Sequence, residues 1–152
     1  MEVFRIADGR RPVFDGTGSF LYGNRWNSQG RKIIYAAQTY AGALLETLVH
    51  AELGRVPRNQ VWVSIQIPEN VSIEIVPPDR VPGWPSSQLG PTQKIGDSWF
   101  DEQRSAVLRV PSVVTSGVES NFLLNQNHPQ FASIRVSRPQ PVAWDPRLLA
   151  GR

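Results

Sequence analysis

The residues of this chain whose types best suit catalysis are Arg25, Tyr35 and Glu46, spaced ten and eleven residues apart. Arg25 lies in a loop segment, Gly23–Asn27, where its guanidinium offers the bidentate donors that phosphate groups accept. A carboxylate such as Glu46 stabilises the positive charge that develops when a glycosidic bond breaks. Together with an aromatic ring, these side chains are the parts needed to hold an anionic dinucleotide and to assist glycosidic cleavage.

Each of these residues also has an ordinary structural interpretation. Glu46 lies at the border of an apolar helical stripe, where it is either a partly desolvated cleft carboxylate or a solvent-edge residue supporting His50 at i+4. Tyr35 is either a cleft residue or a core tyrosine with a satisfied hydroxyl. Arg25 is either a phosphate ligand or a partner in a surface ion pair. Spacing alone leaves these alternatives open.

Two further polar residues stand in apolar strand sequence. Arg5 lies between Phe4 and Ile6, and an arginine inside a short strand needs an anion or a cluster of carbonyls nearby. Ser112 has no Gly-x-Ser-x-Gly context, so it is not expected to be a hydrolase nucleophile, although its hydroxyl is available to a ligand.

The hydrophobic pattern predicts the strands and helices that must position these side chains. Glycine and proline mark a long loop at 8–31 and an irregular stretch from Val81 to Pro91. A succession of short strands with two helices and no βαβ alternation favours an α+β fold with small antiparallel sheets and flanking helices. The predicted strands are Glu2 to Ala7, Lys32 to Ala37, Val61 to Ile67, Val71 to Val76, Val107 to Val114, Asn121 to Leu124 and Phe131 to Val136; the predicted helices are Thr39 to Leu53, ended by Gly54, and Thr92 to Glu102.

Length and composition restrict the class of protein. The 152 residues fit one domain, 1–152, and the chain contains no cysteine, which excludes disulfides and thiolate metal sites. Two isolated histidines predict no metal site. No signal peptide or apolar run of roughly 20 residues is readable, so a cytoplasmic protein without membrane association is expected. The net charge of +3 is carried by scattered arginines, which does not favour nucleic-acid binding.

In combination, these segments resemble the RES-domain family, the toxins of RES–Xre toxin–antitoxin systems. The resemblance covers almost the whole chain, and the family's arginine, glutamate and serine look like Arg25, Glu46 and Ser112. The segments that carry it are Phe4–Ala7, Gly23–Asn27, Ile34–Ala37, Ala43–His50, Val110–Ser112, Asn121–Asn125 and His128–Pro129.

The resemblance implies an ADP-ribosyltransferase-like fold around an NAD cleft, with NAD as substrate and no other cofactor. It implies that Arg5 and Arg25 bind the diphosphate, that Tyr35 lines the nicotinamide-ribose pocket, that Glu46 acts at the ribose and that Ser112 shapes the pocket. NAD would be cleaved at the nicotinamide–ribose bond by hydrolysis or phosphorolysis. A cognate Xre-type antitoxin would cover the active site.

Three alternatives remain open beside that interpretation. The first is an ADP-ribosyltransferase that modifies a host protein. The second is a catalytically silent module that binds only the antitoxin, and the third is a nucleic-acid-binding protein. For the expected antitoxin, the loop from Asp8 to Arg31 and the stretch from Val81 to Pro91 are predicted to form the rims of the cleft.

Overall fold

The computed structural model describes residues 1–51, 55, 57–81, 83–86 and 88–148. Within this described part, the strands form one eight-stranded sheet in the order β4-β5-β6-β2-β1-β3-β7, and β8 also pairs with β3. The strands are β1 Glu2–Asp8, β2 Ile33–Ala37, β3 Gln60–Gln66, β4 Ile73–Ile75, β5 Val107–Pro111, β6 Ser120–Asn125, β7 Arg135–Val136 and β8 Gln140–Pro141.

Three α-helices accompany the sheet in the described residues: α1 Thr17–Tyr22, α2 Tyr40–His50 and α3 Gly90–Asp101. Helix α2 begins where the sequence indicates, because the Thr39 hydroxyl caps it by accepting a hydrogen bond from the Gly42 N–H at 2.9 Å. It ends at His50, with Ala51 as its C-cap. The residues predicted to finish it, Leu53 and Gly54, lie outside the described residues.

The α+β class is confirmed, with two refinements. The strands join into one sheet instead of several small ones, and its pairs are antiparallel except for β4 and β5, which are parallel. A parallel pair needs a crossover connection, and α3 lies in the connection between these two strands. The chain therefore contains one strand–helix–strand unit, formed by β4, α3 and β5. A strand, a helix and a strand were predicted in this region, but the expectation of no βαβ unit was wrong, because parallel pairing depends on tertiary contacts that a local pattern does not record.

The hydrophobic core consists of two clusters on opposite faces of the sheet. Strand β2 shows the division: Ile34 and Ala36 belong to one cluster, whereas Ile33 and Tyr35 belong to the other. Alternation along an extended strand predicts this separation. The cluster that includes Tyr35 also contains Trp26 and Trp99, so this face holds the loop before β2 and helix α3.

Several boundaries differ from the sequence prediction. Helix α1 interrupts the predicted loop 8–31, and Pro129–Ser133 forms a 3-10 turn where a strand was expected, leaving only β7 as strand. The 3-10 turn has proline at its start and is capped by His128, whose Nδ1 accepts from the Gln130 N–H. A proline at the first position and a local cap outweigh the β propensity of the residues that follow.

Candidate active site

A cleft of about 560 Å³ opens on the sheet face that carries Tyr35. Its floor follows the register across three strands, in which Phe4 pairs with Ala37 and Ala37 pairs with Asn121. Residues of helix α2 and of the segment Asn24–Trp26 also line it, together with Pro57 and Gln60 before and at the start of β3 and with Pro111, Val113 and Val114 at the end of β5 and after it. Of the site residues predicted from the sequence, the cleft lining includes Arg5, Arg25, Tyr35 and Glu46.

Glu46 is held by two side chains from the β5–β6 region. The Asn121 amide donates to Glu46 Oε1 at 2.7 Å, and the Ser112 hydroxyl donates to the same oxygen at 3.2 Å. Among the described residues both bonds fall on Oε1, so Oε2 is the oxygen available to a ligand. The carboxylate is therefore oriented by the protein before any ligand arrives.

Ser112 lies behind Glu46 and does not line the cleft. It is only 2% exposed, and its backbone is held by a bond from its N–H to the Glu119 carbonyl at 3.0 Å and by one from the Gly117 N–H to its own carbonyl at 2.8 Å. Its hydroxyl thus has a fixed position from which to donate to Glu46. Ser112 acts on the cleft through that carboxylate.

The β5–β6 connection holds helix α2 at a second point. The Thr39 hydroxyl donates to Glu119 Oε2 at 3.0 Å at the start of the helix. The contact is close, because a Cβ at Gly42 would lie 2.8 Å from that same oxygen. The helix is consequently attached to this connection both at its N-terminus and at Glu46.

Arg25 extends from the loop before β2 toward the Trp84–Ser86 turn. Its Nη1 donates to the Trp84 carbonyl at 3.2 Å and to the Ser86 carbonyl at 2.9 Å. Among the described residues it has no carboxylate partner, so the ion-pair alternative is not what the structure shows. The guanidinium is held by carbonyls at the cleft wall, and its Nε and Nη2 donors have no described bond.

Tyr35 braces the loop that carries Arg25. Its hydroxyl donates to Asn27 Oδ1 at 2.6 Å and accepts from the Trp26 N–H at 3.3 Å. Burial raises the pKa of the Tyr35 phenol well above its usual value, and the Asp97 carboxylate raises the pKa further. The phenol therefore remains protonated and does not serve as a base, while its ring contributes to the cleft lining.

Arg5 is surrounded by backbone carbonyls, as expected for an arginine inside a short strand. Its Nε donates to the Val13 carbonyl and its Nη1 donates to the Tyr35 carbonyl, each at 2.8 Å. Burial lowers the pKa of the guanidinium to about 10, and the nearby Asp15 carboxylate raises it in part. Arg5 therefore ties strand β2 and the loop at Val13 together at the point where it lines the cleft.

His50 lies one turn after Glu46 and also lines the cleft. Its Nδ1 lies 2.7 Å from the backbone carbonyl oxygen of Glu46. The i+4 support suggested by the sequence thus involves the Glu46 carbonyl, whereas the Glu46 carboxylate is bound by Asn121 and Ser112.

Asn121 is the site residue that the sequence prediction left without a role. Its signal was an asparagine at the start of an otherwise apolar strand, but its partner is 75 positions away. In the part of the chain that the structure describes, no group of three or more His, Cys, Asp or Glu side chains is placed to hold a metal ion. No helix in that part is both long and apolar enough to cross a membrane.

Comparison with known proteins assigns the chain that forms this cleft to a family. The family model described as the RES domain matches residues 2–145. The chain belongs to the RES-domain family. The segments around Arg25, Glu46 and Ser112 all lie inside the matched region.

Relatives of this RES domain extend over nearly its whole length. It is 38% identical over 154 residues to the "Prs ADP-ribosylating toxin" of Sphingobium sp. (strain YBL2), covering 96% of this chain and 95% of that protein. It is 34% identical over 152 residues to the "Toxin Res" of Yersinia enterocolitica, covering 97% and 99% respectively.

A solved structure shares the fold of this RES domain. The M. tuberculosis MbcT–MbcA toxin–antitoxin complex contains a chain that superposes with a TM-score of 0.69 at 14% identity. The alignment covers 97% of this chain and 86% of that one. At this identity the likeness concerns the fold.

Proposed function

We propose that this RES domain is the toxin of a toxin–antitoxin pair and that it cleaves NAD at the nicotinamide–ribose bond, with water or inorganic phosphate as acceptor. The observation that carries the proposal is the Glu46 carboxylate, held through Oε1 by Asn121 and Ser112 in a cleft that it shares with two arginines. NAD is the substrate, and no other cofactor is required.

The reaction suits a fixed carboxylate. When the bond between the ribose C1′ and the pyridinium nitrogen breaks, its electron pair moves to the nitrogen and nicotinamide leaves as a neutral molecule. The leaving group therefore needs no proton, whereas the ribose becomes oxocarbenium-like. A preorganised carboxylate stabilises that charge and accepts a hydrogen bond from a ribose hydroxyl. Glu46 Oε2 is assigned this role.

The arginines supply the charge that a dinucleotide requires. The diphosphate carries two negative charges, and Arg25 lies at the cleft wall with an Nε and an Nη2 that have no bond within the described part of the chain. Arg5 lines the same cleft, although two of its donors are used by carbonyls, so part of its role is to hold strand β2. Tyr35 is assigned to the nicotinamide-ribose end as a rigid wall, and Ser112 acts on NAD through Glu46.

Release of nicotinamide from NAD by the purified protein, measured with and without inorganic phosphate, tests this function. Glu46→Gln keeps the shape of the side chain and an oxygen for Asn121 but loses the charge, so we expect at least about a hundredfold lower rate. Glu69→Gln, the same change at an exposed residue outside the cleft lining, is the matched control. Wild-type protein that releases no nicotinamide with either acceptor would refute the proposal.

A second candidate reaction is transfer of ADP-ribose to a protein side chain. The observation in its favour is the 38% identity to a protein named as an ADP-ribosylating toxin. Incubation of wild-type and Glu46→Gln protein with NAD labelled in the adenosine half and a cell extract separates the two reactions. Label that becomes covalently attached to one protein supports transfer, and label recovered only as free ADP-ribose or its phosphate supports cleavage.

The toxin role is supported by the names of the relatives and by the solved toxin–antitoxin complex with the same fold. Expression of the wild type is expected to deplete cellular NAD and to arrest growth, and expression of Glu46→Gln is not. Growth arrest without loss of NAD would favour a different target.

A further inference from the structure

One polar side chain of the cleft has no part in the function proposed above. His50 is the last residue of helix α2, and it follows Glu46 by four positions. Residues at i and i+4 project from the same side of a helix. Both residues line the cleft, and the His50 residue is exposed there.

The hydrogen bond of His50 fixes which ring nitrogen carries the proton. Its Nδ1 is 2.7 Å from the Glu46 carbonyl oxygen. A carbonyl oxygen only accepts hydrogen bonds, so Nδ1 must be the donor. In the neutral imidazole the second nitrogen, Nε2, then has a free lone pair. The fold therefore presents a proton acceptor in the cleft, one helical turn after Glu46.

We propose that His50 is the general base that activates water when NAD is hydrolysed; this inference rests on the proposed function. As the C1′–nitrogen bond breaks and nicotinamide leaves with the electron pair, a lone pair of water forms the new bond to C1′. The proton of that water moves to His50 Nε2, and it is then released to solvent. The products are nicotinamide, ADP-ribose and a proton, so atoms and charge balance.

The Glu46 carbonyl keeps the Nδ1 proton of His50 in place throughout this step, so Nε2 is the nitrogen that accepts the proton of water.

The acceptor distinguishes this role from a structural one. Water must lose a proton to become a hydroxyl substituent, whereas hydrogen phosphate and azide attack through an oxygen or nitrogen that carries no proton. A base is therefore needed for hydrolysis and not for phosphorolysis or for formation of ADP-ribosyl azide. A residue that merely ends the helix would affect all acceptors alike.

The test substitutes His50→Asn, because the asparagine amide replaces Nδ1 as donor to the Glu46 carbonyl but provides nothing in place of Nε2. Rates of ADP-ribose, ADP-ribose phosphate and ADP-ribosyl azide formation are measured separately in wild type and variant. We expect hydrolysis to fall about a hundredfold or more, with phosphorolysis and azide reaction close to wild type. His128→Asn, at the other histidine of the chain, caps a turn outside the cleft lining and is the matched control.

Each alternative result overturns the assignment. Undiminished hydrolysis in His50→Asn excludes a base at this position. An equal loss with all three acceptors, in a variant with an unchanged melting temperature, shows that His50 orders the cleft without taking a proton. If the wild-type protein transfers ADP-ribose to phosphate but never to water, no step of its reaction requires a general base, and the assignment is wrong. Wild-type protein that releases no nicotinamide with any acceptor refutes the proposed function itself and, with it, this inference.

Discussion

The Asn121 amide donates to Glu46 Oε1 at 2.7 Å and thereby joins strand β6 to helix α2 across the floor of the cleft. Since the amide donates to a charged acceptor, the loss of this hydrogen bond costs about 1.5–3 kcal/mol of interaction free energy. We expect Asn121→Ala to lower kcat for nicotinamide release by about tenfold to a hundredfold. Ser112→Ala should have a smaller effect, because its bond to the same oxygen is longer, at 3.2 Å. Full activity in Asn121→Ala would show that the orientation of the carboxylate does not limit the rate.

Arg25 and Arg5 are expected to differ in what their removal does to the fold. Arg25 donates to the Trp84 and Ser86 carbonyls, and the bond to Ser86 is exposed, so water can replace the guanidinium there. Arg25→Ala should therefore weaken NAD binding with a smaller change in melting temperature than the loss of Arg5 causes, because both carbonyl bonds of Arg5 are partly buried. Arg25→Lys should also impair NAD use, since lysine lacks the planar fork.

Arg5→Ala, in contrast, leaves the Val13 and Tyr35 carbonyls without their donor. We expect it to lower both NAD affinity and the melting temperature, because each carbonyl left unpaired costs about 1–3 kcal/mol. Thermal unfolding and KM measured on the two alanine variants check the contrast. Equal melting temperatures for both would mean that the Arg5 bonds contribute nothing to the fold.

Tyr35→Phe tests whether the phenol acts by bracing the loop. The substitution leaves Asn27 Oδ1 and the Trp26 N–H without their partner, so we expect a loss of about 1–3 kcal/mol of stability. KM for NAD should rise because Arg25 lies in the same loop, while kcat changes less. Since burial raises the pKa of this phenol, the variant should keep the pH profile of the wild type between pH 6 and pH 9, a range that lies about one to four units below the usual tyrosine pKa. A pH profile that changes shape would assign proton transfer to Tyr35.

Gly96→Ala tests the contact that helix α3 makes with the loop carrying Arg25 and Trp26. A Cβ at Gly96 would overlap the Trp26 carbonyl oxygen, and the obstacle is backbone, which does not move aside cheaply. We expect a clear fall in the melting temperature and a higher KM for NAD. Gly90→Ala, in the first turn of the same helix, has open space around its Cβ position and is the matched control. Similar effects of both substitutions would contradict the proposed contact.

The sequence was informative where local pattern determines structure. Alternation in β2 assigns Tyr35 to the face of Ile33, and the Thr39 cap marks the start of α2, as the structure confirms. The apolar stripe predicted along α2 was less informative, since Leu45 and Val49 are 45% and 65% exposed whereas Glu46 is half-buried.

The partners of those residues were not readable, because they depend on tertiary contacts. Glu46 meets Asn121 and Ser112 across 75 and 66 positions of chain, and no local pattern records such a pairing. The short helix α1 was missed because its six residues follow a glycine and have no side-chain cap. Of the two predicted rims, the loop lines the cleft through Asn24–Trp26, whereas the described residues of 81–91 are not in the lining. The Trp84 and Ser86 carbonyls of that second stretch hold Arg25 instead.

That arrangement leads to a prediction about the antitoxin that we propose as partner. To block NAD, a partner segment must enter between Asn24–Trp26 and helix α2. A carboxylate or carbonyl oxygens of that segment would there meet Nε and Nη2 of Arg25, which have no bond among the residues that the structure describes. Partner and NAD should then compete, so the apparent Kd of the partner should increase in proportion to NAD concentration. The measurement uses the Glu46→Gln variant, which retains the cleft but is expected not to consume NAD. Arg25→Glu should weaken partner binding more than Arg25→Ala, because it adds repulsion to the loss of the donors. A partner affinity that is unchanged at saturating NAD would show that inhibition acts from outside the cleft.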